Sequence, residues 1–171
     1  MQSIILLMRL NQRKNIKRLA KKYNGLLGGS KEGKVGYNIT MVIAYIREFF
    51  VPQGILGETL ETAVPWSKVN QVKDEANKLL TELHKKYDLP GKPFFCSRIS
   101  KVYHTGICMY NTMGINVRGI KNPEKVFSDI EHKIRECFIR NGGSISHHHG
   151  VGKLRKDFMP ETISPGSIDV I

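Results

Sequence analysis

Three adjacent histidines stand between glycines in the stretch Gly142-Gly143-Ser144-Ile145-Ser146-His147-His148-His149-Gly150-Val151-Gly152-Lys153. A hydrophobic core does not explain such a run, and its internal position and short length do not suit a purification tag. Imidazoles on a loop act as hydrogen-bond donors or as proton carriers near neutral pH. The flanking glycines let the backbone come close to a ligand. Zinc is the weaker reading. Adjacent residues do not all converge on one ion, and neither a Cys-x-x-Cys nor a His-Glu-x-x-His spacing is present, so no metal is expected. Gly-Val-Gly-Lys lacks the four-residue gap and the following hydroxyl of a phosphate-binding P-loop.

A second candidate lies upstream. Between Ile107 and Val117 the odd positions are Ile, Met, Asn, Met, Ile and Val. The even positions are Cys108, Tyr110, Thr112, Gly114 and Asn116, followed by Arg118. Side chains alternate across a strand, so one face packs on helices and the other offers a phenol, a hydroxyl, an amide and a guanidinium. That face is either solvated or the wall of a site. A third candidate is Arg47, in the apolar stretch 40–50. A buried Arg needs an anionic partner. Glu58 or Glu61 would serve, and so would a phosphate or carboxylate on a ligand.

Elements must position these groups. Ser3–Leu10 reads as a covered strand and Asn11–Tyr23 as an amphipathic basic helix closed by Asn24-Gly25. Gly25–Gly36 reads as loop, and 40–50 as a buried helix. Gly54–Trp66 carries a strand ending at Pro65. Ser67 then caps a helix whose apolar stripe is Val69, Val72, Ala76, Leu79, Leu80, Leu83 and Tyr87. Phe94–His104 and Ile107–Val117 pair around Thr105-Gly106. Asn122-Pro123 opens the last long helix, with Val126, Phe127, Ile130, Ile134 and Phe138 on one face, and Asn141-Gly142-Gly143 ends it. The order predicts an α+β fold, an antiparallel sheet covered by helices.

The chain has 171 residues, with 27 Lys+Arg against 15 Asp+Glu and a formal net charge of +12. It is long enough for one domain with a real core. No run approaches the roughly 20 apolar residues of a membrane span. Three cysteines in no close pair exclude a disulfide scaffold and suit a reducing compartment. Residues 1–34 hold nine basic side chains and one acidic. Such a segment serves nucleic acid, an anionic membrane surface or simply a solvated helix face, and the last is the commonest case.

GGSISHHHGVGKLRK (142–156) resembles the His-rich loop of the alkylglycerone-phosphate synthase (alkyldihydroxyacetonephosphate synthase) family, within the vanillyl-alcohol-oxidase-like flavoproteins. GYNITMVIAYIREFF (36–50), LGETLETAVPWSKV (56–69), VYHTGICMY (102–110) and VRGIKNPEKVF (117–127) match in order. The resemblance implies a cap domain of the FAD-linked oxidase C-terminal type over residues 1–160, incomplete, with 161–171 as a tail. It implies FAD as cofactor, held mostly by a separate domain. It implies an ether-forming exchange of the acyl chain of acyl-dihydroxyacetone phosphate for a long-chain fatty alcohol, with no net redox change, in peroxisomes. A fragment inactive alone is expected.

Carried over residue by residue, Tyr110 takes the catalytic tyrosine's position, His147, His148 and His149 the essential His loop, and Arg47 the substrate-binding arginine. A free phenol has a pKa of about 10, so a tyrosine acting as base needs cations nearby. Asn111-Thr112-Met113 departs from the further aromatics usual in the family. Two alternatives remain: part of a FAD-dependent oxidase or dehydrogenase of the same superfamily, or a basic anion-binding module. A membrane surface and a second copy of the chain are further expected partners, ahead of nucleic acid.

Overall fold

The computed structural model describes residues 2–168 and 170. Of the C-terminal tail expected from the sequence, Asp169 and Ile171 lie outside the described residues. The chain divides into two compact units, the first ending at Ile46 and the second beginning at Arg47.

The first unit holds helix α1 (Gln2–Lys22) and most of helix α2 (Ser30–Phe50). The expected strand Ser3–Leu10 is therefore helix. A continuous apolar run carries no period that separates strand from helix. Ile-Leu-Leu-Met leads straight into the helix-forming Asn11–Lys22, and α1 runs through both. Its end is as expected. Asn24 takes a left-handed φ of 54°, and the Gly25 N–H reaches back 2.7 Å to the Ala20 carbonyl. The expected loop Gly25–Gly36 is shorter, because α2 already begins at Ser30. Glu32, in its first turn, accepts the Gly29 N–H at 2.6 Å and complements the helix's positive end.

The second unit carries the sheet. Strands β1 (Ile55–Pro65), β2 (Phe94–Val102) and β3 (Gly106–Asn116) form an antiparallel sheet in the order β1-β3-β2. Helices α3 (Val69–Lys86) and α4 (Pro123–Arg140) pack against each other on one face. The expected cap Ser67 is not the cap. A short 3-10 turn, Trp66–Lys68, takes up the entry, and Lys68 precedes the first α-helical residue with no side-chain cap bond. The expected stripes of both helices face the core. Val72, Ala76, Leu80, Ile130 and Ile134 are fully buried against Leu60, Ile107, Met113 and Ile115. The Tyr87 hydroxyl joins the two helices by donating to the Asp129 carboxylate.

Gly106 starts β3 where the chain turns under β1. A Cβ there would meet the Val64 carbonyl oxygen at 2.1 Å, so only glycine fits. After α4 come a loop (141–151), helix α5 (Gly152–Arg155), a 3-10 segment (Lys156–Glu161) and helix α6 (Pro165–Ile168). Among the described residues, no helix is long and apolar enough to cross a membrane.

Candidate functional site

The register of the sheet sets one rung of the site. Glu61 of β1 lies directly opposite Tyr110 of β3, and Arg98 of β2 lies opposite Tyr110 on its other side. Directly opposed residues share a face. Carboxylate, phenol and guanidinium therefore line up across three strands. Two positions earlier on the same face of β3 is Cys108, fully buried and paired with Ala63. The Arg98 guanidinium sits 4.4 Å from the centre of the Tyr110 ring, a cation–π contact.

The opposite face of β3 goes to the core. Asn111 and Met113, two of the three departures from the family's aromatics, are buried there. Asn111 accepts from the Ser97 hydroxyl at 2.6 Å and donates to the Leu60 carbonyl at 3.2 Å. Those two positions, where the resemblance leads one to expect aromatics, pack beneath the site rather than line it. Of the three, only Thr112 shares the face of Tyr110.

The His loop docks on the free edge of β1. The Ser144 N–H donates to the Ala63 carbonyl at 3.0 Å, and the Ala63 N–H donates to Ser144 Oγ at 2.9 Å. Thr62 Oγ1 donates to the Ser144 carbonyl at 2.9 Å. Gly143 permits this approach. A Cβ there would lie 2.4 Å from Thr62 Oγ1 and 2.8 Å from the Phe138 carbonyl oxygen.

Glu61 then organises the loop. One oxygen, Oε1, accepts the backbone N–H groups of His147, His148 and His149 at 2.8, 2.6 and 2.5 Å. It also accepts the Ser146 hydroxyl at 3.0 Å. Burial pushes the Glu61 carboxyl up. The N–H groups of His149, His147 and His148, with the Ser146 hydroxyl, outweigh that and hold it down at about 2. At the far end, buried Arg155 donates to the Gly150 carbonyl at 2.9 Å.

With its backbone tied, the loop spreads its imidazoles. His148 stacks on Tyr110 with centroids 5.8 Å apart and planes 21° from parallel. His149 meets Tyr110 edge-on at 5.4 Å. His147 Nε2 is 2.5 Å from the Tyr103 hydroxyl. His147 and His148 turn their Nδ1 atoms toward each other at 3.0 Å. Four of the sequence candidates, Tyr110, His147, His148 and His149, thus come together.

Arg47 does not join them. It is exposed near the end of α2, not buried, and it makes no ion pair among the described residues. Glu61, considered as its partner, is spent on the His loop. The correction has a physical cause: the apolar density of 40–50 marks a helix but does not say that its faces are covered. Phe49, Tyr45 and Met41 are exposed as well.

The family described as FAD linked oxidases, C-terminal domain, matches residues 12–171. The chain belongs to this C-terminal-domain family of FAD-linked oxidases. It is 40% identical over 147 residues to an alkyldihydroxyacetonephosphate synthase of Caenorhabditis elegans, covering 86% of this chain and 25% of that protein. A synthase of the same name from Dictyostelium discoideum is 25% identical over 142 residues, 83% of this chain and 23% of that protein. A solved structure described as alkyldihydroxyacetonephosphate synthase in P1 superposes with a TM-score of 0.58 at 18% identity, over 87% of this chain and 27% of that one. The chain thus spans about a quarter of the length of these relatives. The expected α+β cap fold stands.

As an FAD-linked oxidase C-terminal domain, the second unit offers a flavin some of what it needs. Arg98, His148 and His149 are exposed donors around a phenol, suited to the ring system's polar edge. The pyrophosphate is not served there. Neither α3 nor α4 is opened by a glycine-rich turn, the usual anion cradle at a helix start. Cys108, Arg98, Tyr103 and Arg155 were not singled out from the sequence as site residues. For Arg98 the strand register was the missing information, whereas the alternation of β3 already put Cys108 on the face of Tyr110.

Proposed function

We propose that this chain forms the substrate-side wall of an ether-lipid-forming transferase of the alkyldihydroxyacetonephosphate synthase type. The observation that carries the reading is the packing of the Tyr110 phenol against His148 and His149, with Arg98 over its ring. A phenol that gives and takes a proton needs a relay beside it and positive charge close by. The His loop supplies the relay and Arg98 the charge. Glu61 holds the relay in place through the backbone N–H groups of the loop, and its second oxygen touches the His148 imidazole.

Arg47 is proposed as the grip on the substrate's phosphate, which suits a guanidinium without an ion-pair partner among the described residues. FAD, when bound, supplies the electrophilic centre of the exchange. Arg98, His148 and His149 would face it from this chain. The substrates are then acyl-dihydroxyacetone phosphate and a long-chain fatty alcohol, and the compartment is the peroxisome.

The test is a graft. Residues 36–160 replace the matching segment of the Caenorhabditis elegans synthase, and ether formation from labelled fatty alcohol is followed. An active graft that loses nearly all activity on Tyr110→Phe supports the reading. A graft that binds FAD and stays active as Tyr110→Phe overturns it.

A further inference from the structure

We infer that Glu61, Cys108, His147 and His148 form a binding site for a zinc-type divalent transition-metal ion. One ligand atom from each lies within 4.8 Å of the others. The inference does not depend on the ether-lipid reading. Glu61, Cys108 and the adjacent pair His147-His148 are distant from one another in sequence and arrive from β1, β3 and the loop after α4, so spacing along the chain does not reveal them. The sheet register does. Glu61 faces Tyr110, and Cys108 is the next residue on the same face, under the loop that Glu61 ties down.

The donor set selects the ion. A carboxylate oxygen, a thiolate sulfur and two imidazole nitrogens are the ligands zinc takes in four-coordinate sites. A thiolate argues against magnesium and calcium, which prefer oxygen alone. The second observation is Glu61 Oε2. The carboxylate side chain has no exposure, and Oε2 accepts no hydrogen bond although Oε1 accepts four. Oε2 instead faces the Nδ1 atoms of His148, in contact, and of His147, at 3.9 Å.

Proton counting leaves this cluster short. His148 Nδ1 lies against both Glu61 Oε2 and His147 Nδ1. One ring proton there satisfies one of those acceptors and leaves the other bare. A dication among the four atoms satisfies all the lone pairs at once. The surroundings match the outer shell of a metal site. The Tyr103 hydroxyl holds His147 by Nε2 and so fixes the ring with Nδ1 turned inward. Glu61 is held by the loop's own N–H groups. With all four positions supplied by protein, the site is closed and would lock the loop rather than activate water. Loading takes His147 and His148 out of proton transfer and leaves His149 against Tyr110. Entry is from the side of His148, the one exposed member.

The experiment uses the full chain, free of any affinity tag and stripped with chelator, titrated with Co²⁺ and then with Zn²⁺. A single equivalent of Co²⁺ should give strong tetrahedral visible bands and a near-ultraviolet thiolate charge-transfer band, both erased by a single equivalent of Zn²⁺. C108S should lose the charge-transfer band. Tyr103→Phe, outside the ligand set, should weaken Zn²⁺ binding about 10–100-fold. Absence of Co²⁺ bands in the wild-type chain, or a charge-transfer band that survives in C108S, overturns the site. If C108S does not fold, His148→Gln decides: a loss of about tenfold or more in affinity supports the site, and unchanged affinity overturns it.

Discussion

A carboxylate without exposure is costly unless its charge is met, and Glu61 meets that demand at Oε1 with backbone N–H groups. Three consecutive N–H groups converge on one oxygen, which fixes the path of three residues with one side chain. Glu61→Ala should therefore orphan three donors at once and cost about 3 kcal/mol in urea unfolding. The His147–His149 amides should lose most of their hydrogen-exchange protection in the same variant. An unfolding midpoint within error of wild type would show that the loop has other support. Sequence reading placed the three histidines on a presented loop and Tyr110 on the polar face, and the structure puts them together. It could not see what holds the loop. Glu61 looked like a partner for Arg47, because charge pairing is what sequence suggests for a lone acid and a lone base. Backbone donors carry no residue name, so only the strand register exposes them.

At the level of elements, the legible parts were those with a period. The stripes of α3 and α4 and the alternation of β3 all face as expected, and the chain does turn between the paired strands, over residues 103–105, with Gly106 already the first residue of β3. Ser3–Leu10 has no period, and it is helix. The joint between elements makes a sharper test. Gly143 ends α4 within reach of Thr62, so Gly143→Ala must push the loop off the β1 edge. A cost of about 1–3 kcal/mol follows from such overpacking, with loss of protection at the Ser144 amide as the local readout. Tyr87 and Asp129 clamp α3 to α4, and hydrogen bonding to the carboxylate raises the phenol's pKa. The folded value is raised, so the contribution is present below the unfolded value of about 10 and lost as pH rises past the folded one. Tyr87→Phe should cost about 1 kcal/mol near neutral pH. That difference from wild type should shrink toward zero in strong alkali. A gap that is constant across denaturation curves at about pH 7 and about pH 11 would mean that the ring packing, not the hydrogen bond, is what the variant removes.

Across the whole chain the two units differ in how their apolar residues are used. Every core residue named among the described residues, from Leu60 to Phe158, belongs to the second unit. In the first, Ile5, Leu6, Leu7, Met8, Leu10, Ile16 and Leu19 of α1 are exposed, as are Val35, Ile39 and Val42 of α2. Sequence density alone suggested burial for both, because hydropathy reports what a segment would gain from a cover and not whether the cover is present. The stability of the sheet and its His loop should then reside in residues 47–171. A chain beginning at Arg47 should unfold cooperatively, with a free energy within about 0.5 kcal/mol of the full chain's. It should also sediment closer to a monomer, since contiguous exposed apolar surface promotes association. The two readings separate cleanly. Loss of cooperative unfolding would move part of the core's support into the first unit. Unchanged self-association with intact unfolding would place the adhesive surface on the sheet unit, beside Tyr110 and the exposed imidazoles.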